Sequence, residues 1–189
     1  FFTALLFFIF IIDQSYTIIL PQTYNITYPA RIYDYLKSNN TGPLLEIPFA
    51  IRDGLKNLGN FYAVFLPRTQ LIHKQSSFGI YGGRINDETF AYFRNNPLIG
   101  SFAKLIDRDA KQYKEIISAF DTEKMNNAID FFGVSHAVLK NDEPYSLFAK
   151  MTLERLGFSP MQTENNFILF YRKPENGIIH FTLNSENDY

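Results

Sequence analysis

The residues best suited to chemistry lie in the stretch IHKQSSFGIYGGR, at positions 72 to 84. His73, Lys74 and Arg84 can each contact an anion, and a guanidinium group can do so through two parallel hydrogen bonds. The adjacent glycines before the arginine allow a backbone to approach a ligand closely. The stretch therefore indicates either an anion-contacting loop or a glycine turn whose arginine is solvated or paired with a structural acid.

A second candidate is Glu46, which lies inside the apolar segment LLEIPF. An acid in such a segment needs a partner or a functional reason, because an unpaired charge is costly to bury. The sequence offers Arg84 or Arg31 as that partner. We therefore expect Glu46 either to form a structural ion pair or to orient Arg84 toward a ligand.

Several kinds of catalytic site are disfavoured by the sequence. None of the three histidines, His73, His136 and His180, has a second histidine or a carboxylate three or four positions away on one helix face. The chain contains no cysteine, and it has neither a Gly-x-Ser-x-Gly elbow nor a phosphate-binding glycine motif. We expect no metal, no cofactor and no catalytic residue here, with His136 as a packed or edge residue of a strand.

The overall composition is that of a globular protein. Of the 189 residues, 46% are hydrophobic and 20% are charged, which is enough to bury a core. The net charge of −1 provides no broad positive surface for nucleic acid. Nucleic acid is therefore not an expected partner.

The chain opens with FFTALLFFIFII, which has no charge before Asp13. Twelve helical residues would span roughly 18 Å, which is short of the ~30 Å hydrocarbon core. The segment could be the end of a transmembrane helix, the apolar part of a signal peptide, or an ordinary buried helix. The first is favoured because the segment is apolar on every side. The absence of Lys and Arg between Asp13 and Ala30 predicts that the following domain is extracytoplasmic.

The pattern of the remaining chain predicts an α/β fold. An extended connector (13–28) leads to an α/β domain (29–174), followed by an edge strand and polar tail (175–189). The domain should contain a small mixed, partly parallel sheet with several flanking helices. The predicted strands are LLEIPF, VSHAVLK and a hairpin turning at Asn165-Asn166, and SSFGIYGGR is predicted as a loop. The predicted helices include one begun by Pro29, one capped by Asp87, one begun by Pro97, one between Asp121 and Gly133, and one capped near Asn141 or Asp142.

Several of these features, in this order, match a known family. A glutamine and a histidine three residues apart (Gln70 and His73) are followed by Tyr81 and Arg84, eight and eleven residues after the histidine. They lie between the Glu-x-Pro strand and the segments FFGVSHAVLK and LGFSPMQTENNFILFYRK. The chain thus resembles, over about residues 1–173, the C-terminal soluble domain of bacterial polytopic membrane proteins of the GT-C glycosyltransferase-like class. These are relatives of dolichyl-phosphate-mannose-dependent and lipid-A-modifying transferases. The chain departs from the family pattern at Thr69, Ile80 and Gly83.

This resemblance implies a function at the cell membrane. Such proteins transfer a sugar from a polyprenyl-phosphate carrier to a glycan or lipid acceptor on the outer face, using a catalytic acid in an early loop outside the present sequence. The chain would be their extracytoplasmic cap domain, not catalytic alone. His73, Lys74, Tyr81 and Arg84 would contact anionic groups of carrier or acceptor, with Glu46 orienting Arg84.

Two other classes of function stay open at this point. The chain could be a membrane-tethered binding or assembly module without transferase activity, whose aromatic surface contacts a partner or a glycan. It could also be a self-contained enzyme such as a hydrolase using His73, which would require an enclosed pocket that joins His73 to a carboxylate.

Overall fold

The computed structural model describes residues 28–39, 42–53, 55–60, 66–82, 84–107 and 112–173. The predicted transmembrane end at 1–12, nearly all of the connector at 13–28 and the predicted edge strand and tail at 175–189 lie outside these residues. Among the described helices, none is both long enough and apolar enough to cross a bilayer.

The described elements alternate between helices and short strands. In chain order they are α1 (Ala30–Ser38), β1 (Leu44–Ile47), β2 (Ala50–Arg52), β3 (Asn57–Gly59), α2 (Leu66–His73), β4 (Ile80–Tyr81), α3 (Asp87–Asn95), α4 (Pro97–Ile106), α5 (Tyr113–Ser118), α6 (Thr122–Phe132), β5 (His136–Lys140), α7 (Ser146–Arg155), β6 (Ser159–Glu164) and β7 (Phe167–Tyr171).

The main sheet has four strands in the order β1-β5-β7-β6. Strands β1 and β5 are parallel, with Leu44 opposite His136, whereas β7 is antiparallel to both β5 and β6. The hairpin turn contains Asn165, whose positive φ of 52° is a conformation that asparagine tolerates. The structure therefore confirms the predicted α/β fold with a mixed, partly parallel sheet.

A second, smaller sheet was not predicted from the sequence. Its order is β3-β2-β4, with β2 antiparallel to β3 and parallel to β4. Strand β4 lies inside the stretch predicted as a loop, so the prediction for SSFGIYGGR was wrong at Ile80 and Tyr81. Strands of two or three residues are too short to produce a clear alternating pattern.

Most helix ends follow the local sequence. Asn96 caps α4 by accepting hydrogen bonds from the backbone N–H groups of Leu98 and Ile99, with Pro97 in the first turn. Asp121 caps α6, which ends at Gly133 in the left-handed conformation with φ of 68°.

Two predicted caps were wrong. The residue that caps α3 is Asn86, whose side chain accepts from the backbone N–H of Thr89 at 2.7 Å, and Asp87 is the first helical residue. Helix α7 begins at Ser146, several residues after the predicted cap. Asp142, one of the two residues predicted to cap it, instead forms an ion pair with Lys140 at the end of β5.

The two faces of the main sheet contact different helices. Side chains of one face pack against α4, α6 and α7, and those of the other face pack against α1. The first set includes Leu45, Ile47, Ala137, Leu139, Ile168 and Phe170, and the second includes Leu44, Val138, Phe167 and Leu169. Glu46 alternates with Leu45 and Ile47 along β1, so it lies on the face covered by α1.

Candidate functional site

Glu46 is the centre of a buried polar cluster between β1, α1 and α2. Its side chain is nearly inaccessible, with a residue exposure of 3%. The carboxylate Oε1 accepts a hydrogen bond from the Tyr33 hydroxyl at 2.9 Å and another from the Thr69 hydroxyl at 3.2 Å. Two hydroxyl donors on one oxygen offset part of the cost of burying this carboxylate.

His73 completes the cluster from the last position of α2. It is fully buried, at 0% exposure, and its Nδ1 accepts the backbone N–H of Gln75 at 3.0 Å. Because Nδ1 acts as an acceptor, the ring proton is assigned to Nε2. This Nε2 lies 3.6 Å from the Oε2 of Glu46, and neither atom has another hydrogen-bond partner among the described residues. The histidine N–H and the carboxylate oxygen therefore face each other.

The tyrosine of the cluster is held in its protonated form. Burial and the neighbouring carboxylate of Glu46 raise the pKa of Tyr33 above its ordinary value. The Tyr33 ring also lies against the imidazole of His73, with centroids 5.1 Å apart. Tyr33 therefore donates a hydrogen bond to Glu46, and its ring packs against His73.

The expected pairing of Glu46 with an arginine is wrong. Arg31 lies 3.6 Å from Glu164 of β6, and that glutamate also accepts the backbone N–H of Ile32 in the first turn of α1. Arg84 is exposed and follows β4 of the smaller sheet, whereas Glu46 lies in the main sheet. Glu46 accepts from hydroxyl groups instead, because α1 and α2 place them directly above β1.

The structure does not bring together the five residues that were predicted to contact a substrate. Glu46 and His73 come together inside the protein, whereas Lys74 and Arg84 are exposed at the surface. The backbone of Tyr81 belongs to β4 and pairs with Arg52, and its side chain lies outside what the structure describes.

Three residues that belong to the cluster or bond beside it were not identified from the sequence. Tyr33 and Thr69 bind Glu46, and the Gln75 side chain donates to the backbone oxygen of Leu36 at 2.7 Å. Thr69 and His73 are four residues apart, which places them on one face of a helix. That spacing was the available signal, but Pro67 within the segment disfavours a helix and makes the pattern hard to recognise.

The chemistry available to this cluster is limited by its burial. A histidine beside a carboxylate can serve as a general base when a substrate reaches it. Two of the cavities among the described residues have volumes of about 140 and 370 Å³, and neither of these two is lined by Glu46 or His73. Within the same residues, no group of three or more acids and histidines is arranged to hold a metal ion. The geometry therefore fits a structural role better than a reaction centre. We refer to the cluster of Tyr33, Glu46, Thr69 and His73 as the clamp.

A second histidine lies on the same face of the sheet. His136 is 2% exposed and its ring packs between those of Tyr35 and Tyr171, at 6.0 and 5.1 Å. Its Nδ1 lies 2.9 Å from the hydroxyl of Ser135. Burial lowers the pKa of His136 below its ordinary value. The structure thus confirms the expectation of a packed histidine in a strand.

Comparison with models of protein families, with curated proteins and with solved structures gives no match to this chain.

Proposed function

We propose that this chain is an extracytoplasmic accessory domain of a multi-pass membrane protein of the glycosyltransferase-like class, which does not itself perform transfer. The observation that carries the proposal is the burial of Glu46 and His73. The two residues best suited to acid-base chemistry are buried beneath α1, where their hydrogen bonds go to other groups of the protein. A domain built in this way would assist a reaction centre supplied by other parts of the parent protein.

The buried cluster has a clear consequence for the loop that follows α2. The N–H of Gln75 is fixed on His73, the Gln75 side chain is bonded to α1, and the backbone oxygen of Ser76 accepts the N–H of Leu44 at 2.7 Å. Lys74, whose φ of 59° lies in the left-handed region, is exposed directly before the hydrogen-bonded residues Gln75 and Ser76. Glu46 and His73 would therefore act as positioning residues for a loop whose Lys74 contacts phosphate groups of the carrier or acceptor, together with Arg84 after β4.

The loop's role can be tested in the full-length parent protein, reconstituted in lipid with a polyprenyl-phosphate-sugar donor. Replacing both Lys74 and Arg84 with Ala should lower the initial rate of sugar transfer about tenfold, since each lost charged contact is worth roughly 0.5–1 kcal/mol. Lys37→Ala, which removes an exposed cation from α1, is the matched control and should leave the rate within about twofold. Unchanged transfer by a correctly folded double variant would remove the loop from the mechanism.

The non-catalytic character of the domain has its own test. The purified 189-residue chain, incubated with the same donor and acceptor, should release no product. Product formation that is lost in His73→Asn would instead support a self-contained enzyme, and would require the clamp over Glu46 to open.

Exposed apolar side chains favour one alternative, a membrane-tethered binding or assembly module. Leu55, Leu71 and Phe131 are 90%, 78% and 64% exposed, which is high for large apolar residues. The sequence that precedes Phe1 in the parent protein separates the two proposals. Many hydrophobic spans with an early acidic loop would support the transferase-like protein, and a single span would support the tethered module.

A further inference from the structure

A small cavity opens on the side of the fold opposite to the Glu46 cluster. It lies between the turn that joins α5 to α6 and the last two turns of α7, and its volume is about 140 Å³. The lining residues are Ile117, Phe120, Thr122, Met125, Met151, Thr152, Arg155 and Leu156. Neither the buried cluster nor the proposed transferase role uses any of these residues.

The inner walls of the cavity are apolar. Met125 and Leu156 are buried at 1% and 2% exposure, and Phe120 and Ile117 are half-buried around them. A cavity of about 150 Å³ with walls of this kind holds a benzene-sized molecule. Methionine side chains adapt to the shape of a ligand because they are unbranched and flexible. The walls therefore suit a compact apolar group of about six carbon atoms.

The available polar groups at this cavity are hydrogen-bond donors. The Thr152 hydroxyl already donates to the backbone oxygen of Phe148 at 2.8 Å. By contrast, the Thr122 hydroxyl and the Arg155 guanidinium have no hydrogen-bond or ion-pair partner among the described residues. A guanidinium beside a hydroxyl is a suitable pair of donors for a carboxylate or a phosphate.

Nearby carboxylates do not neutralise Arg155. Asp121 forms an ion pair with Lys124 at 3.0 Å and caps α6, and Glu154 lies 3.9 Å from Lys150. Asp121 and Glu154 are thus engaged with other cations, and the charge of Glu123, which follows Thr122 in the chain, acts on Lys124. The turn above the cavity is also fixed by the cap at Asp121, so that the site is formed before a ligand arrives.

We propose that this cavity binds a small free anion, in which a compact apolar group about the size of a phenyl ring carries a carboxylate or a phosphate group. The apolar group occupies the space between Phe120, Met125 and Leu156. The anionic group lies at the mouth, where Arg155 and Thr122 donate to it. This ligand site is independent of the sugar carrier and of the loop that follows α2.

The methionines provide a direct test, with benzoate as the probe. The sequence contains only three, and two of them, Met125 and Met151, line the cavity. The third, Met161, lies on β6 outside the cavity and serves as an internal control. In the 189-residue chain labelled with ¹³C at the methionine methyl groups, benzoate should shift the NMR signals of the first two saturably and leave the third unchanged. A ligand of this size should bind with a Kd on the order of 1 mM.

Matched probes and variants separate the two parts of the site. Acetate, which lacks the apolar group, and benzyl alcohol, which lacks the charge, should each bind at least about fivefold more weakly than benzoate. Arg155→Gln should weaken benzoate about fivefold with little effect on benzyl alcohol, and Thr122→Val should weaken benzoate about threefold. Lys114→Gln changes the net charge equally at an exposed position of α5 outside the cavity, and it should bind benzoate as the original chain does.

Three results would overturn the proposal. The first is the absence of a saturable methyl shift up to about 20 mM benzoate, some 20 times the expected Kd. The second is equal binding of acetate and benzoate. The third is equal weakening of benzoate by Arg155→Gln and Lys114→Gln. Thermal unfolding of each variant verifies that it is folded, and the methyl spectrum without ligand verifies that the cavity is intact.

Discussion

The two faces of the main sheet are built from alternate residues of the same strands, yet they differ in character. The face toward α4, α6 and α7 is lined by aliphatic and aromatic residues such as Leu139 and Phe170. The face toward α1 includes Glu46 and His136 among its apolar neighbours. One face thus depends on non-directional burial, whereas the other also depends on hydrogen bonds of fixed geometry.

This difference shows how stability and specificity can be distributed in one sheet. Apolar side chains accept many packing arrangements of similar energy, whereas a buried carboxylate accepts only arrangements that supply donors. Glu46 requires the hydroxyls of Tyr33 and Thr69, so it determines where α1 and α2 lie on β1. The polar face should therefore lose its defined geometry before the apolar face loses its packing.

The largest loss of stability is expected on the apolar face. Phe170→Ala removes a fully buried ring and should lower the free energy of unfolding by about 3–5 kcal/mol, because a cavity is left in the larger core. Urea unfolding followed by circular dichroism measures this change. Met161→Ala, at a half-exposed position on the edge strand, is the control and should cost less than about 1 kcal/mol. Equal losses for both variants would contradict the central role of the larger core.

A somewhat smaller loss is expected at the centre of the polar face. Glu46→Ala leaves the hydroxyls of Tyr33 and Thr69 without their acceptor and removes the carboxylate that faces His73. It should cost about 2–4 kcal/mol in the same urea experiment. Glu46→Gln keeps one acceptor oxygen for the hydroxyls but presents an amide N–H₂ to the His73 N–H. Its cost should therefore lie between zero and the cost of Glu46→Ala, and no loss at all for Glu46→Gln would argue against the assigned ring proton, because an unprotonated Nε2 would accept from the amide.

Tyr33→Phe removes a single hydrogen bond, which should lower the free energy of unfolding by about 1–2 kcal/mol in the same urea experiment.

Tyr33 also predicts that the stability of the fold depends on pH. The pKa of Tyr33 is raised in the folded state, so above pH ~10 the unfolded chain loses this proton while the folded chain keeps it. Stability should therefore fall as the pH rises above ~10, by at most about 1.4 kcal/mol per pH unit from this group. Tyr33→Phe should show a shallower fall, and identical alkaline slopes would contradict the burial of the hydroxyl.

The smallest effect concerns His136 and appears on the acid side. Its pKa is lowered by burial, so below pH ~6.5 the unfolded chain takes up a proton that the folded chain resists. Stability should therefore decrease as the pH falls from about 7 to 5. His136→Gln should reduce that slope in urea unfolding at several pH values. A steeper slope in the variant would show that the histidine is not buried in its neutral form.

Local patterns predicted much of the fold but not the partners within the candidate site. Pro29, Gly133 and the Asn165-Asn166 turn mark the ends of elements through their own backbone preferences, so these predictions needed no tertiary information. The partner of Glu46 depends instead on which helix docks above β1. An arginine was expected because a buried acid needs a partner and the sequence offers Arg84 and Arg31, whereas the docked helices supplied two hydroxyls and a histidine. The smaller sheet was missed because its strands have too few residues for a pattern.

The parallel pairing of β1 with β5 also has a consequence for the order in which the chain folds. Leu44 meets His136 only after a segment of roughly 90 residues has closed, whereas the β6–β7 hairpin and its pairing with β5 involve much shorter separations. We therefore expect β5, α7 and the hairpin to form an early nucleus that presents an open strand edge. The N-terminal third would add β1 to this edge late, and the clamp around Glu46 would close last.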